Sequence, residues 1–177
     1  MSIASEVELN EFYQEKDPWQ YQTTEDDTVR RDRLLAALPD RKYERVLDLG
    51  CGDGFVTELL PAKKTYGIDL STKAIEHAQA SASSHITYRQ GSLFDLPDMD
   101  LGAPFDLIVI TGVLYEQYIG KGHQLVRSLV DQKLATNGHL ASVHIHAWQT
   151  FRFPYLLLYR EYYPYREYTH LLEVYKK

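Results

Sequence analysis

Short apolar runs along the chain alternate with polar stretches of helical spacing. Residues 45–49 form one such run and pass straight into Gly50-Cys51-Gly52-Asp53-Gly54. An apolar run breaking into glycines reads as a buried strand entering a tight turn. Helical apolar spacing over 55–60 predicts that the turn opens a helix. Residues 65–69 read as a second strand ending in Asp69. Ser71 then caps a helix to about residue 82, with Ala74, Ile75 and Ala78 inward. Strand three is expected at 86–89 and strand four at 105–110, whose unbroken apolar run suits a central strand covered on both faces. A helix over 122–135 follows, and Asn137-Gly138 turns the chain into strand five at 139–146. Residues 150–158 predict a short helix interrupted near Pro154. The stretches 159–164 and 168–175 alternate as an antiparallel hairpin. Upstream, Asp27 or Thr28 caps a helix to about Leu38 with Val29, Leu34, Leu35 and Leu38 inward. The first ten residues are polar and expected to be frayed or loosely helical. The whole predicts an α/β fold: a single doubly wound, mostly parallel, seven-stranded sheet with an antiparallel C-terminal hairpin.

Composition narrows this picture. At 177 residues the chain is expected to be one domain, 1–177, with 1–27 as an aromatic N-terminal cover segment. A 44% hydrophobic and 25% charged composition is that of a globular protein. The net charge of −6 argues against a nucleic-acid partner. No apolar run is long enough to span a membrane. One cysteine excludes an internal disulfide and, with no basic-then-apolar start, points to the cytoplasm. Cys51 serves as a small residue in the glycine turn.

The glycines carry the candidate chemistry. Gly50, Gly52 and Gly54 give G-x-G-x-G, with Phe55 where the dinucleotide fingerprint has its third glycine. That spacing does not require a pyrophosphate. Asp48 stands two residues before the first glycine. Asp69 lies about twenty residues beyond the first strand, where a βαβ unit places a carboxylate for two ribose hydroxyls. These features favour a nucleoside-type ligand over a bare glycine turn. In a doubly wound sheet, Gly91-Ser92-Leu93 and Thr111-Gly112 also fall at the ligand edge. Ser92 and the amide of Leu93 could read an adenine edge, whereas Asp95 is expected to cap its own turn.

Other residues stay open on physical grounds alone. Trp19, after Asp17-Pro18, either lies over the pocket or packs on the outside of the core. Arg30, Arg31 and Arg33 form a solvated face unless one enters the cleft. His144 and His146 share one face of strand five. No third ligand accompanies them, so no metal is expected; one is expected to be buried and satisfied and the other to look toward the substrate side.

Asp48 to Gly54, Asp69, Gly91-Ser92-Leu93, Phe105-Asp106-Leu107-Ile108 and Asn137-Gly138-His139-Leu140 fall in the order of class I S-adenosylmethionine (SAM) methyltransferases, which the chain resembles over nearly its whole length. Asp17-Pro18-Trp19, Arg30 before Leu34-Leu35, and Val113-Leu114-Tyr115 are similar to the rhizobial nodulation (NodS-like) methyltransferases, which N-methylate a chitooligosaccharide amine. The resemblance implies a Rossmann-like fold and SAM as cofactor, leaving S-adenosylhomocysteine (SAH). It assigns Trp19, Arg30, Asp48, Gly50, Gly52, Asp69, Leu70, Ser92, Leu93 and Thr111 to cofactor binding. The family commonly has Asp where this chain has Ser92, which weakens the adenine contact there.

The expected activity is methyl transfer to a small-molecule acceptor, most simply an amine nitrogen. Tyr115, His146, His144 and Tyr13 are the candidate acceptor-side or base residues. The alternatives are small-molecule or sugar O-methylation and a SAM-binding protein without catalysis. The tyrosine-rich tail could face a partner subunit, pack on the core or line the acceptor pocket, so both monomer and homodimer remain open.

Overall fold

A computed structural model describes residues 3–15, 17–18, 20, 24–102, 104–149 and 151–177. Trp19 lies outside the described residues.

Seven strands form one sheet: β1 (Tyr43–Leu49), β2 (Ala62–Asp69), β3 (Ile86–Gln90), β4 (Phe105–Thr111), β5 (Leu134–Ile145), β6 (Leu156–Tyr165) and β7 (Tyr168–Lys176). Their order is β3-β2-β1-β4-β5-β7-β6. The first five pair in parallel, and β7 enters antiparallel between β5 and β6. The expected hairpin is therefore present, with its second strand inside and its first at the edge. The order reverses between β1 and β4, so their C-terminal ends open a crevice where open α/β sheets bind ligands.

Alternate side chains supply two cores. Leu47, Leu49, Ile108, Ile110 and Leu140 pack on one face under α5 (His123–Lys133), Phe151 and Phe153. Val46, Leu107, Val109, Ala141, Val143 and Val174 pack on the other under Leu34 and Leu38 of α2 (Glu25–Ala37). This two-sided burial explains the unbroken apolar run of β4. Helix α3 (Thr72–Ala80) starts on Ser71, whose hydroxyl accepts the Ala74 N–H.

Three expected elements differ. Residues 55–60 make only a single 3-10 turn, Thr57–Leu59, because Pro61 and the start of β2 leave too few residues to nucleate an α-helix. The glycine turn therefore does not open a helix N-terminus. Residues 151–155 form no helix: Phe151 and Phe153, two apart, both enter the core. On α2, Val29 points outward at 39% exposure, while Asp27 and Arg30 are buried one turn before Leu34. This buried charged pair on the inner stripe is joined by an ion pair of 3.3 Å, and Asp27 is also bonded by Tyr165 and Arg166. The helix expected over 122–135 is present as α5, preceded by a short α4 (Glu116–Ile119).

The first residues form a helix, α1 (Glu6–Phe12), started by a capping box between Ser5 and Glu8. Its polar face grips the start of α3. Asn10 Oδ1 accepts the Ser71 hydroxyl at 2.8 Å and the Lys73 N–H at 3.2 Å, and Glu6 accepts the Thr72 hydroxyl at 2.7 Å. On the other side the Ala4 N–H donates to the Gln117 carbonyl at 2.8 Å.

Candidate functional site

The reversal point of the sheet holds a cavity. Leu49 and Gly50 form its floor, Asp69 and Leu70 one side, Gly91, Ser92 and Leu93 a second, and Thr111, Gly112, Val113 and Tyr118 a third. Ala4, Leu9 and Tyr13 close it from the N-terminal segment. Its volume is about 120 Å³, below the roughly 300–1,000 Å³ usual for drug-sized ligands.

The glycine loop is built by its neighbours. Gly50 has φ +75°, and a side-chain carbon there would collide with Val113. Gly52 has φ +54°, and a side-chain carbon there would stand 2.9 Å from the Tyr13 hydroxyl. Both conformations favour glycine. The loop is fastened to β2 by Asp69, whose Oδ2 accepts the Gly52 N–H and whose Oδ1 accepts the Ser71 N–H, each at 2.9 Å. Burial raises the Asp69 pKa, opposed by the N–H groups of Ser71 and Gly52. Leu70 presents its carbonyl to the Gln90 amide at 3.1 Å.

Asp48 sits beneath the loop, 1% exposed. Its Oδ2 accepts the Thr57 hydroxyl at 2.7 Å, and Oδ1 has no hydrogen-bond partner among the described residues. Burial pushes its pKa up to about 7; the Thr57 bond lowers it, the nearby Asp69 charge raises it and Arg30 lowers it. An orphaned buried carboxylate oxygen is costly unless a donor arrives.

Ser92 starts a 3-10 turn. Its hydroxyl accepts the Phe94 N–H at 3.2 Å while its own N–H donates to Asp95 at 2.8 Å, so Asp95 caps the turn as expected. Cys51 is buried, and desolvation raises its thiol pKa, in keeping with a small turn residue.

The expected acceptor-side residues separate. His144 is fully buried, and its Nε2 accepts the N–H groups of Leu114 at 3.1 Å and Val113 at 3.3 Å. The ring is therefore neutral with its proton on Nδ1, and burial pushes its pKa down to about 3. His146 lies just past the end of β5, exposed, edge-on to Tyr162 at 5.0 Å. The strand ends between the two histidines, so their surroundings differ although their positions alternate. Tyr115 is 7% exposed, and its hydroxyl accepts the Ile145 N–H at 2.8 Å. Its ring meets Trp148 at 5.4 Å and Tyr118 at 6.2 Å. Tyr13 joins the cavity itself.

Of the expected residues, Gly50, Asp69, Leu70, Ser92, Leu93, Thr111 and Tyr13 line the cavity. Asp48 and Gly52 lie directly behind it, and Arg30, Tyr115, His144 and His146 stand outside its lining. Tyr118, Ala4 and the α1 residue Leu9 were not placed at the cavity from the sequence. The capping pattern Ser5-x-x-Glu8 is the one local signal for the helix that carries Leu9. Among the described residues, no cluster of histidine, cysteine and acids could hold a metal, and no helix is long and apolar enough to cross a membrane.

A seven-stranded sheet of this order, with a glycine loop at the β1/β4 reversal, is the class I methyltransferase fold. The N-methyltransferase NodS from Bradyrhizobium japonicum WM9, solved in complex with SAH, superimposes with a TM-score of 0.78 at 22% identity, covering 97% of each chain. The family model for nodulation protein S (NodS) matches residues 6–141, and the chain belongs to that family. Nodulation protein S of Azorhizobium caulinodans is 32% identical over 129 residues, 70% of this chain and 60% of that one. Trans-aconitate 2-methyltransferase of Variovorax paradoxus is 36% identical over 133 residues, 70% of this chain and 48% of that one. The chain thus spans 60% or less of these relatives' own lengths.

Proposed function

We propose that this protein is a SAM-dependent methyltransferase acting on a small-molecule amine. The observation that carries the reading is the cavity at the β1/β4 reversal, walled by Gly50, Asp69 and Leu93 in a chain of the NodS family. Its residues fit the donor. Asp69 faces the cavity with its carboxylate already oriented by two backbone N–H groups, leaving lone pairs for ribose hydroxyls. The unpartnered Oδ1 of Asp48 suits an ammonium group, and Leu93 and Ser92 lie where an adenine edge would be read. Arg30, whose charge bears on Asp48, would pair with the carboxylate of the donor's amino-acid portion.

Bound SAM supplies a methyl group activated by its sulfonium. The chain's part is alignment and exclusion of water, which contribute roughly 7–11 kcal/mol in well-oriented reactions. Tyr13 and Leu9 would provide the cover. His144 holds the loop after β4 through Val113 and Leu114 and cannot accept a proton at Nε2 while it does so. The acceptor side is therefore assigned to Tyr115 and His146, with Tyr118 and Trp148 as neighbouring aromatic surface. His146, exposed beyond β5, is the group suited to take the proton that an amine releases on methylation.

An oxygen acceptor is the second reading, favoured by the relatives named for methylating trans-aconitate, a molecule without nitrogen. Methyl-labelled SAM incubated with matched panels of amines, amino sugars and carboxylic acids decides between them. Label on nitrogen supports the proposal, and label on oxygen alone replaces it with the second reading. SAH binding without any transfer would favour a non-catalytic SAM-binding protein.

A further inference from the structure

The face of β5 that packs under α5 is apolar at Leu140, but its last two positions are not. They are Ser142 and His144, both fully buried. Ser142 stands directly opposite Glu173 of β7, which is also fully buried. Opposed residues of an antiparallel pair share a face, with Cβ atoms about 4.5–5.5 Å apart. Tyr175, 2% exposed, follows Glu173 on that face. Oε1 of Glu173 accepts the Arg160 Nε–H at 2.8 Å, and it forms ion pairs of 2.7 Å with Arg160 Nη2 and 3.2 Å with Arg152 Nε. Oε2 of Glu173, Oγ of Ser142, Nδ1 of His144 and the Tyr175 hydroxyl are buried and have no hydrogen-bond partner among the described residues. Such atoms are costly unless a partner meets them.

The four groups are complementary. His144 Nε2 accepts the Val113 and Leu114 N–H groups, so Nδ1 carries the proton and must donate. Glu173, paired with two guanidiniums, offers Oε2 as an acceptor. The Ser142 hydroxyl can accept from one and donate to the other. It also lies between them, two positions before His144 on one face and across from Glu173. The Tyr175 hydroxyl adds a donor. A buried water makes about three hydrogen bonds to polar groups of this kind. We propose that ordered water bridges these side chains into a relay from His144 Nδ1 through Ser142 to Glu173, and that Ser142 and Glu173 are positioning residues for the acceptor side. They act through His144. Its Nε2 holds Val113, a wall of the cavity, and its ring meets Tyr115 edge-on at 5.4 Å. The Tyr115 hydroxyl is fixed in turn by the Ile145 N–H at 2.8 Å. A turn of the His144 ring would disturb both contacts. The relay stands on these side chains alone; its bearing on catalysis rests on the assignment of Tyr115 to the acceptor under the proposed function.

Nitrogen-15 NMR of the full chain tests the relay without any methyl transfer. In the wild type the His144 Nδ1–H should give one resolved resonance, slow to exchange, with a cross-relaxation contact to bound water. Ser142→Thr keeps a hydroxyl, and Ser142→Val has the same shape without one. The Nδ1–H and the Val113 and Leu114 amides should stay protected in Ser142→Thr. In Ser142→Val and Glu173→Gln they should exchange about fivefold faster, the effect of one lost hydrogen bond. Ser142→Ala reports the same loss should the larger side chains fail to fold. Equal protection in Ser142→Thr and Ser142→Val, unchanged exchange in Glu173→Gln, a His144 ring protonated at Nε2, or no water contact at Nδ1–H would overturn the proposal. With an acceptor that the wild type methylates, Ser142→Val should lower kcat about fivefold and Ser142→Thr should restore it. An unchanged kcat in Ser142→Val would overturn the positioning role. Absence of transfer by the wild type would remove the methyltransferase reading and leave the relay to be decided by the NMR result.

Discussion

Asp69 Oδ2 accepts the backbone N–H of Gly52 at 2.9 Å, so the acid that ends β2 holds the glycine loop that follows β1. One side chain therefore shapes the loop and faces the cavity. Asp69→Asn can keep one acceptor oxygen but puts an amide where the second N–H or a ribose hydroxyl must be met. Affinity for SAH should fall by about 10–100-fold, and the urea midpoint should fall as well. Calorimetry and equilibrium unfolding read the two effects separately.

The pKa of Asp48 near 7 has a definite sign. A carboxyl raised in the folded state contributes stability below its unfolded value, and that contribution is lost as pH rises from about 4 through about 7. Asp48→Asn should match the wild-type melting temperature below about pH 4 and exceed it at pH 8. If Asp48 meets an ammonium, SAH binding at pH 6.5 should release protons in the wild type and none in Asp48→Asn. Titrations in buffers of different ionisation enthalpy measure that release.

The buried histidines act in the opposite direction. His144 and His170 are each pushed down to about 3, mainly by burial. A depressed histidine pKa means stability that is present above about 6.5 and lost as pH falls toward 3. His170→Phe keeps the stack on Tyr165 and removes one titrating group. Its unfolding at pH 5 should take up about one proton fewer than the wild type, visible as a shallower acid limb of stability against pH.

Gly50 faces Val113 at a left-handed φ. Gly50→Ala should destabilise through both the backbone conformation and the collision. Adding Val113→Ala should relieve the collision and leave about 1–2 kcal/mol, the usual penalty for a left-handed L-residue. Urea unfolding of the single and double variants separates these parts.

Asn10 fastens α1 to the start of α3. Asn10→Ala should lower amide-exchange protection over Glu6–Phe12 and speed SAH dissociation about fivefold, the effect of one lost hydrogen bond of about 1 kcal/mol.

The sheet was legible because its strands carry strong period-two or fully apolar runs. Val46, Leu47 and Leu49, like Leu107 to Ile110, can be buried on two faces only in a central strand. The glycine loop, Asp69 and the Ser92 turn were legible from spacing, since each depends on local backbone geometry. Asp27 and Arg30 were not. They look like a charged helix face, and the Tyr165 hydroxyl and Arg166 guanidinium that meet buried Asp27 come from far along the chain. Of His144 and His146 one was expected buried and the other outward, but which was which was not legible, because nothing local marks that the strand ends between them. Phe151 and Phe153 lay in a helical frame until the core claimed alternate positions.

The central claim is that the cavity between Gly50 and Asp69 binds the methyl donor. Calorimetric titration of SAH into the wild type and Asp69→Asn tests it most directly. The account predicts saturable one-to-one binding in the wild type, weakened at least about tenfold in the variant. No saturable binding, or equal affinity in a folded variant, would contradict it.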